Sequence, residues 1–114
     1  MKLAVHFFKM SEVQVAVNNL DESLYKSLGK PYFALTWSIY NFYMYVMNPD
    51  QRSDINVLFE YGWYCACGWF GEQTIERIMN DAEGDTIVFI KSYAEYAIPV
   101  LLEEFETDTL QFDE

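Results

Sequence analysis

Two cysteines stand two residues apart, in Cys65-Ala66-Cys67, and they are the first place to look for chemistry. Zinc takes about four ligands, and its cysteines are commonly paired with two or more residues between them. Here one residue intervenes, the only histidine is the distant His6, and no carboxylate spacing completes a set. On an extended strand the two thiols would share a face with Trp63 and Trp69, which makes them buried core thiols. A disulfide between residues two apart would be strained. No metal site is expected.

Nucleophilic catalysis needs a base beside a serine, threonine or cysteine. His6 is the sole imidazole and lies in an apolar run, so it reads as structural. Glu103-Glu104 pairs two carboxylates, but neighbouring helix positions point apart and make no acid–base dyad. The glycines at 29, 62, 68, 71 and 84 never form a phosphate-cradling loop. No catalytic residue and no cofactor is therefore expected. An enzyme built on carboxylates and a divalent metal is the rival class.

The carboxylates carry more information. Glu72, Glu76 and Glu83 are spaced by four and seven, which puts them on one face of a helix, away from Ile75, Ile78 and Met79. Carboxylates one turn apart are roughly 6 Å apart along the axis, the order of phosphate spacing on a nucleic-acid strand. Asp85 follows, and from residue 92 onward come Glu95, Glu103, Glu104, Glu106, Asp108, Asp113 and Glu114, with no Lys or Arg. The candidate partner-binding residues are Glu72, Glu76, Glu83, Asp85, Glu95, Glu103, Glu104, Glu106 and Asp108. The ordinary alternative is a solvated helix face with a soluble tail.

These residues need elements to position them. Residues 2–8 read as a short strand. Ser11-Glu12-Val13-Gln14 matches a capping box opening a helix whose inner face is Val13, Val17, Leu20 and Leu24, closed by Gly29 and Pro31. Phe33, Leu35, Trp37 and Ile39 alternate with Ala34, Thr36 and Ser38, the period of a half-buried strand. The large residues then shift to Tyr40, Phe42, Met44 and Val46, as a bulge or a strand break would require. A turn at Asn48-Pro49-Asp50 and a polar loop to Asp54 lead to a second alternating set, Val57, Phe59, Tyr61 and Trp63. Gly62, Gly68 and Gly71 punctuate this tract as bulges or bends. The rival reading makes 31–47 one helix starting at Pro31.

A helix is expected over 72–82, stopped by Gly84, then a β-branched strand over 86–90. Ser92-Tyr93-Ala94-Glu95 opens a last helix running to about residue 106, with a bend at Pro99. The tail 107–114 is expected to fray. The fold class expected is α+β, a small antiparallel aromatic sheet packed with about three helices; the alternative is mainly α.

With 114 residues, 52% of them hydrophobic, the chain makes one domain, 1–114, with a core that needs neither metal nor disulfides. Eighteen carboxylates face seven Lys and Arg, a formal net charge of −11. Such a field repels nucleic acid and anionic lipid and speeds encounter with basic surfaces, so direct nucleic-acid binding is disfavoured. The start of the chain lacks a small-residue cleavage site, and 32–47 is too short and polar to span a membrane. A cytoplasmic location is expected. Nine Tyr, nine Phe and three Trp exceed the needs of a core of this size. Tyr40, Tyr43, Tyr45, Tyr61, Trp63, Tyr64 and Trp69 are candidates for a docking or dimer surface.

In size, charge and aromatic content the chain resembles small acidic inhibitors from phages and mobile elements, which cover the basic surface where a restriction or CRISPR nuclease holds nucleic acid. No motif carries that resemblance and no residue is transferred by it. It implies a non-enzymatic anti-CRISPR or anti-restriction inhibitor of nucleic-acid-mimic type, with a basic protein partner. Alternatives are an immunity protein that neutralises a toxin nuclease, and a homodimeric accessory protein without inhibitory activity.

Overall fold

A computed structural model describes residues 8–20, 31–48 and 56–105. These residues form five helices: α1 (Met10–Asn18), α2 (Pro31–Met47), α3 (Asn56–Phe70), α4 (Glu72–Asp81) and α5 (Thr86–Glu104). The expected antiparallel sheet is overturned, because both aromatic tracts are helical. The mainly α alternative, including one helix over 31–47, is the one that fits.

The reason lies in Thr36 and Ser38. Their polarity made 33–39 look like a strand with a wet side, yet both are fully buried. The Thr36 hydroxyl donates to the Phe33 carbonyl at 3.0 Å and the Ser38 hydroxyl to the Leu35 carbonyl at 2.7 Å. Asn41 does the same to Trp37 at 2.7 Å. Back-bonding one turn up the helix satisfies short polar side chains without water. They can then sit in the core, and the apparent alternation loses its meaning. α2 carries no charged residue, and it is buried on most of its circumference.

α2 and α3 pack more extensively than any other pair of helices. Ala34 lies against Gly68 while Tyr45 meets Phe59, so the two run antiparallel. Gly62 faces the Phe42 ring of α2. A Cβ at that position would lie 2.7 Å from two ring carbons of Phe42. Phe42 is itself fully buried and meets Phe59, Phe89 and Tyr93 at ring-centroid distances of 5.5, 5.6 and 5.2 Å. Such pairs contribute about 0.5–1.5 kcal/mol each beyond the burial of their area. Gly62 is therefore a helix residue admitting a ring, not a strand bulge. Gly68 is also helical rather than a strand bend.

α5 lays Phe89 and Tyr93 on this cluster. Tyr93 is fully buried, and its hydroxyl lies 2.5 Å from that of Ser38. Ser38 spends its one proton on Leu35, so Tyr93 donates to Ser38. Burial pushes the Tyr93 phenol far above its ordinary range, a shift that the Ser38 bond opposes in part. α1 packs on both α2 and α5, and Phe8 just before it is edge-on to Tyr43 of α2 at 5.7 Å.

The helix ends correct several expected boundaries. α1 begins at Met10, one residue before Ser11; the Glu12 carboxylate, not Gln14, accepts from the Lys9 N–H at 3.2 Å. Gly71 alone separates α3 from α4, at φ 96°, a conformation that favours glycine. α4 ends in a Schellman closure: Glu83 N–H donates to Asn80 and Gly84 N–H to Met79, with Glu83 at φ 57°. The strand expected over 86–90 is the first part of α5, because Asp85 is its N-cap and accepts from the Ile87 and Val88 N–H groups at 3.0 Å each. Ser92 and Glu95 consequently fall inside a helix rather than at its start. Pro99 is within α5 on its exposed side, where water can serve the carbonyl that the proline leaves unpaired. Most of the strand 2–8, the residues Leu24 and Gly29, the loop at 49–54 and the tail 107–114 lie outside the described residues.

The two helical glycines should respond oppositely to alanine. Gly62→Ala forces a methyl into Phe42 and is expected to destabilise by about 1–3 kcal/mol. Gly68→Ala meets only Ala34 at 3.7 Å, an ordinary contact. It should stabilise by about 0.5–1 kcal/mol through helix propensity. Urea melts of the two variants check this; equal effects would mean that α2 and α3 do not approach as described.

Candidate acidic face and aromatic cavity

Residues 56–105 hold nine carboxylates and two bases, Arg77 and Lys91, a net charge of −7. All nine are exposed: Glu60, Glu72, Glu76, Asp81, Glu83, Asp85, Glu95, Glu103 and Glu104. None is consumed in the core. The charge is therefore confined to the outside of α3, α4 and α5, over an interior that is neutral.

The sequence-derived candidates separate into groups. Glu72 and Glu76 stand one turn apart on α4, whose inner side is Ile75, Ile78, Met79 and Ala82. Glu83 leaves their stripe, because it follows the end of the helix in the left-handed turn. Asp85 follows in the same connection, but one of its oxygens is already engaged as the α5 cap. Glu95, Glu103 and Glu104 are exposed on α5, with Lys91 one turn before Glu95. Glu106 and Asp108 lie outside the described residues. Two patches emerge: the α4 carboxylates with the 83–85 turn, and the end of α5.

The aromatic candidates divide as well. Tyr45 is buried, and Tyr40, Tyr43, Trp63 and Trp69 are half-buried parts of the core. Tyr61 and Tyr64 are exposed at 50% and 56%. They border a cavity of about 610 Å³ between α2 and α3. Ala34 and Trp37 of α2 form one wall; Trp63, Cys65 and Cys67 of α3 belong to the other. Glu72 at the start of α4 completes the lining. Trp37 meets Tyr61 at 6.2 Å with the rings inclined by 64°. The cavity went unread in the sequence, although Tyr61, Tyr64 and Gly68 follow one another at three and four, the signature of one helix face.

The cysteines also change meaning. On a helix, residues two apart are separated by about 200° of rotation, so Cys65 and Cys67 do not point the same way as they would on a strand, although both reach the cavity lining. Neither cysteine is in a disulfide; Cys65 is buried and Cys67 half-buried. Burial pushes the Cys67 thiol up, and the negative charges of Glu72 and then Glu76 push it further. It is thus held in the neutral form, a poor nucleophile and a poor metal ligand. Among the described residues no group of three or more His, Cys, Asp and Glu is placed to hold a metal ion. Among them, too, no helix is long and apolar enough to cross a membrane.

The field at Cys67 is measurable. Replacing Glu72 and Glu76 by glutamine should lower the thiol's ionisation threshold and speed its alkylation by iodoacetamide at a fixed, mildly alkaline pH. Peptide mapping resolves Cys67 from Cys65. An unchanged rate would show that the two carboxylates do not reach the cavity. Compared with protein-family models, curated proteins and solved structures, the chain has no match, so its functional reading rests on charge and shape.

Proposed function

We propose that this chain is a non-enzymatic inhibitor that binds a positively charged surface of a protein partner. That surface is the nucleic-acid-binding face of a bacterial defence nuclease complex, and binding takes place in the cytoplasm of the cell that holds it. The observation that carries the reading is the placement of charge: nine carboxylates and two bases on residues 56–105, every one of the nine exposed. Nine exposed carboxylates facing two bases over a neutral core cost the fold self-repulsion. Against a lysine- and arginine-lined groove the same charges steer encounter and fix orientation. A helix-borne row such as Glu72 and Glu76 offers negative charge at intervals comparable to those of a phosphate backbone, which is what such a groove is built to accept.

The test separates the charge from the fold. Purified protein is titrated into DNA-binding and cleavage assays of CRISPR effector and restriction nucleases, with wild type compared to the combined Glu76→Lys, Glu83→Lys and Glu104→Lys variant. All three positions are exposed and none packs in the core. Wild type should compete with nucleic acid, and the variant should be weaker by roughly tenfold or more, mainly through slower association. A variant as potent as wild type, or inhibition that is insensitive to salt, would contradict the proposal.

A further inference from the structure

The cavity between α2 and α3 combines three features: aromatic lining residues, an opening at the surface and a carboxylate in its lining. Trp37, Tyr61, Trp63 and Tyr64 are among its lining residues, with the Trp63 ring also packed on Phe89, and Glu72 supplies the charge. Tyr61, Tyr64 and Glu72 are all exposed, so the cavity communicates with solvent. Its volume of about 610 Å³ is within the range of small-molecule and side-chain pockets. An uncharged apolar guest would use the rings but not Glu72. An anion would be repelled by Glu72 and Glu76. A planar cation uses everything present.

We propose that this cavity receives an arginine side chain of the partner, its guanidinium held against the Trp37, Tyr61 and Tyr64 rings and paired with the Glu72 carboxylate. The proposal rests on the basic-partner reading above and gives it a specific anchor. Guanidinium is planar, weakly hydrated and stacks on aromatic faces, whereas ammonium is a compact and strongly hydrated charge, so arginine is favoured over lysine. Cys67 is an internal reporter of the same field. The charges of Glu72 and Glu76 that resist a thiolate at this wall are charges that attract a cation to it. A buried aromatic–arginine contact flanked by exposed carboxylates is also the arrangement from which interface hot spots are commonly built.

The experiment uses the free protein and small probes, so it does not depend on finding the partner. Nα-acetyl-arginine amide, Nα-acetyl-lysine amide, Nα-acetyl-citrulline amide and tetramethylammonium are titrated separately while the three tryptophan indole N–H signals are followed by NMR. Assignment uses single Trp→Phe variants. The expected result is a saturable shift of the Trp37 signal with the arginine probe, a smaller one with lysine and none with citrulline, which has the shape of arginine without its charge. Glu72→Gln and Tyr64→Ala, both at exposed positions, should each weaken the arginine response by about threefold to tenfold. No saturable shift with arginine, an equal shift with citrulline, or a stronger one with tetramethylammonium would each overturn the assignment. Should the arginine probe fail while the protein still competes with nucleic acid in the nuclease assays, the cavity loses its role and the acidic face keeps its own.

Discussion

The contact between the Phe42 ring and the bare backbone of Gly62 is the constraint on which the remaining packing depends. A side chain of any size at 62 would push α3 away from α2. That separation would undo the neighbouring contacts of Tyr45 with Phe59, of Trp37 with Tyr61 and of Ala34 with Gly68. Phe42 also anchors α5, whose Phe89 and Tyr93 close on it from another side. Glycine inside a helix costs about 1 kcal/mol of propensity. The aromatic contacts it admits are each of similar size, and several form around one ring.

A core of this kind has a consequence for charge. α2 contains no Asp, Glu, Lys, Arg or His, and its buried polar groups are satisfied by its own carbonyls or, for Ser38, also by Tyr93. No carboxylate is needed inside. The acids of residues 56–105 therefore all stand on the exterior, and all but the α5 cap Asp85 lie outside the helix-capping hydrogen bonds described above. The α2–α3 cavity opens beside the start of α4, so the exposed tyrosines and the first of the α4 carboxylates belong to one surface. Packing, charge and cavity are linked by the same pair of helices.

Only part of the helix pattern was legible from the sequence, since α2, α3 and the start of α5 read as strands. The spacing of Ile75, Ile78, Met79 and Ala82, with Gly84 beyond, located α4 to within a residue. The starting proline of α2 was readable too, but the alternation of Thr36 and Ser38 with large residues favoured a strand. What overrode it was tertiary: a helix enclosed on most sides shows no amphipathic period, and buried hydroxyls mimic a wet face. Asp85 was read as a partner-binding acid, and its capping role was missed because the β-branched run at 86–90 concealed the start of a helix. All seven described candidate carboxylates are exposed, but helical periodicity accounts only for those within helices; Glu83 and Asp85 are exposed because they lie in the turn between α4 and α5, and the cavity required knowing which helices are neighbours.

In the proposed complex both acidic patches, the α4 carboxylates with the 83–85 turn and the end of α5, meet the basic partner. Carboxylate footprinting of the nuclease-bound protein tests this most directly, using carbodiimide-driven amidation with and without the complex and mass spectrometry to read each site. The account predicts protection of Glu72, Glu76, Glu83, Glu103 and Glu104 in the complex, with Glu12 on α1 labelled equally in both states. Unchanged labelling of the α4 and α5 carboxylates, or protection centred on Glu12, would contradict it.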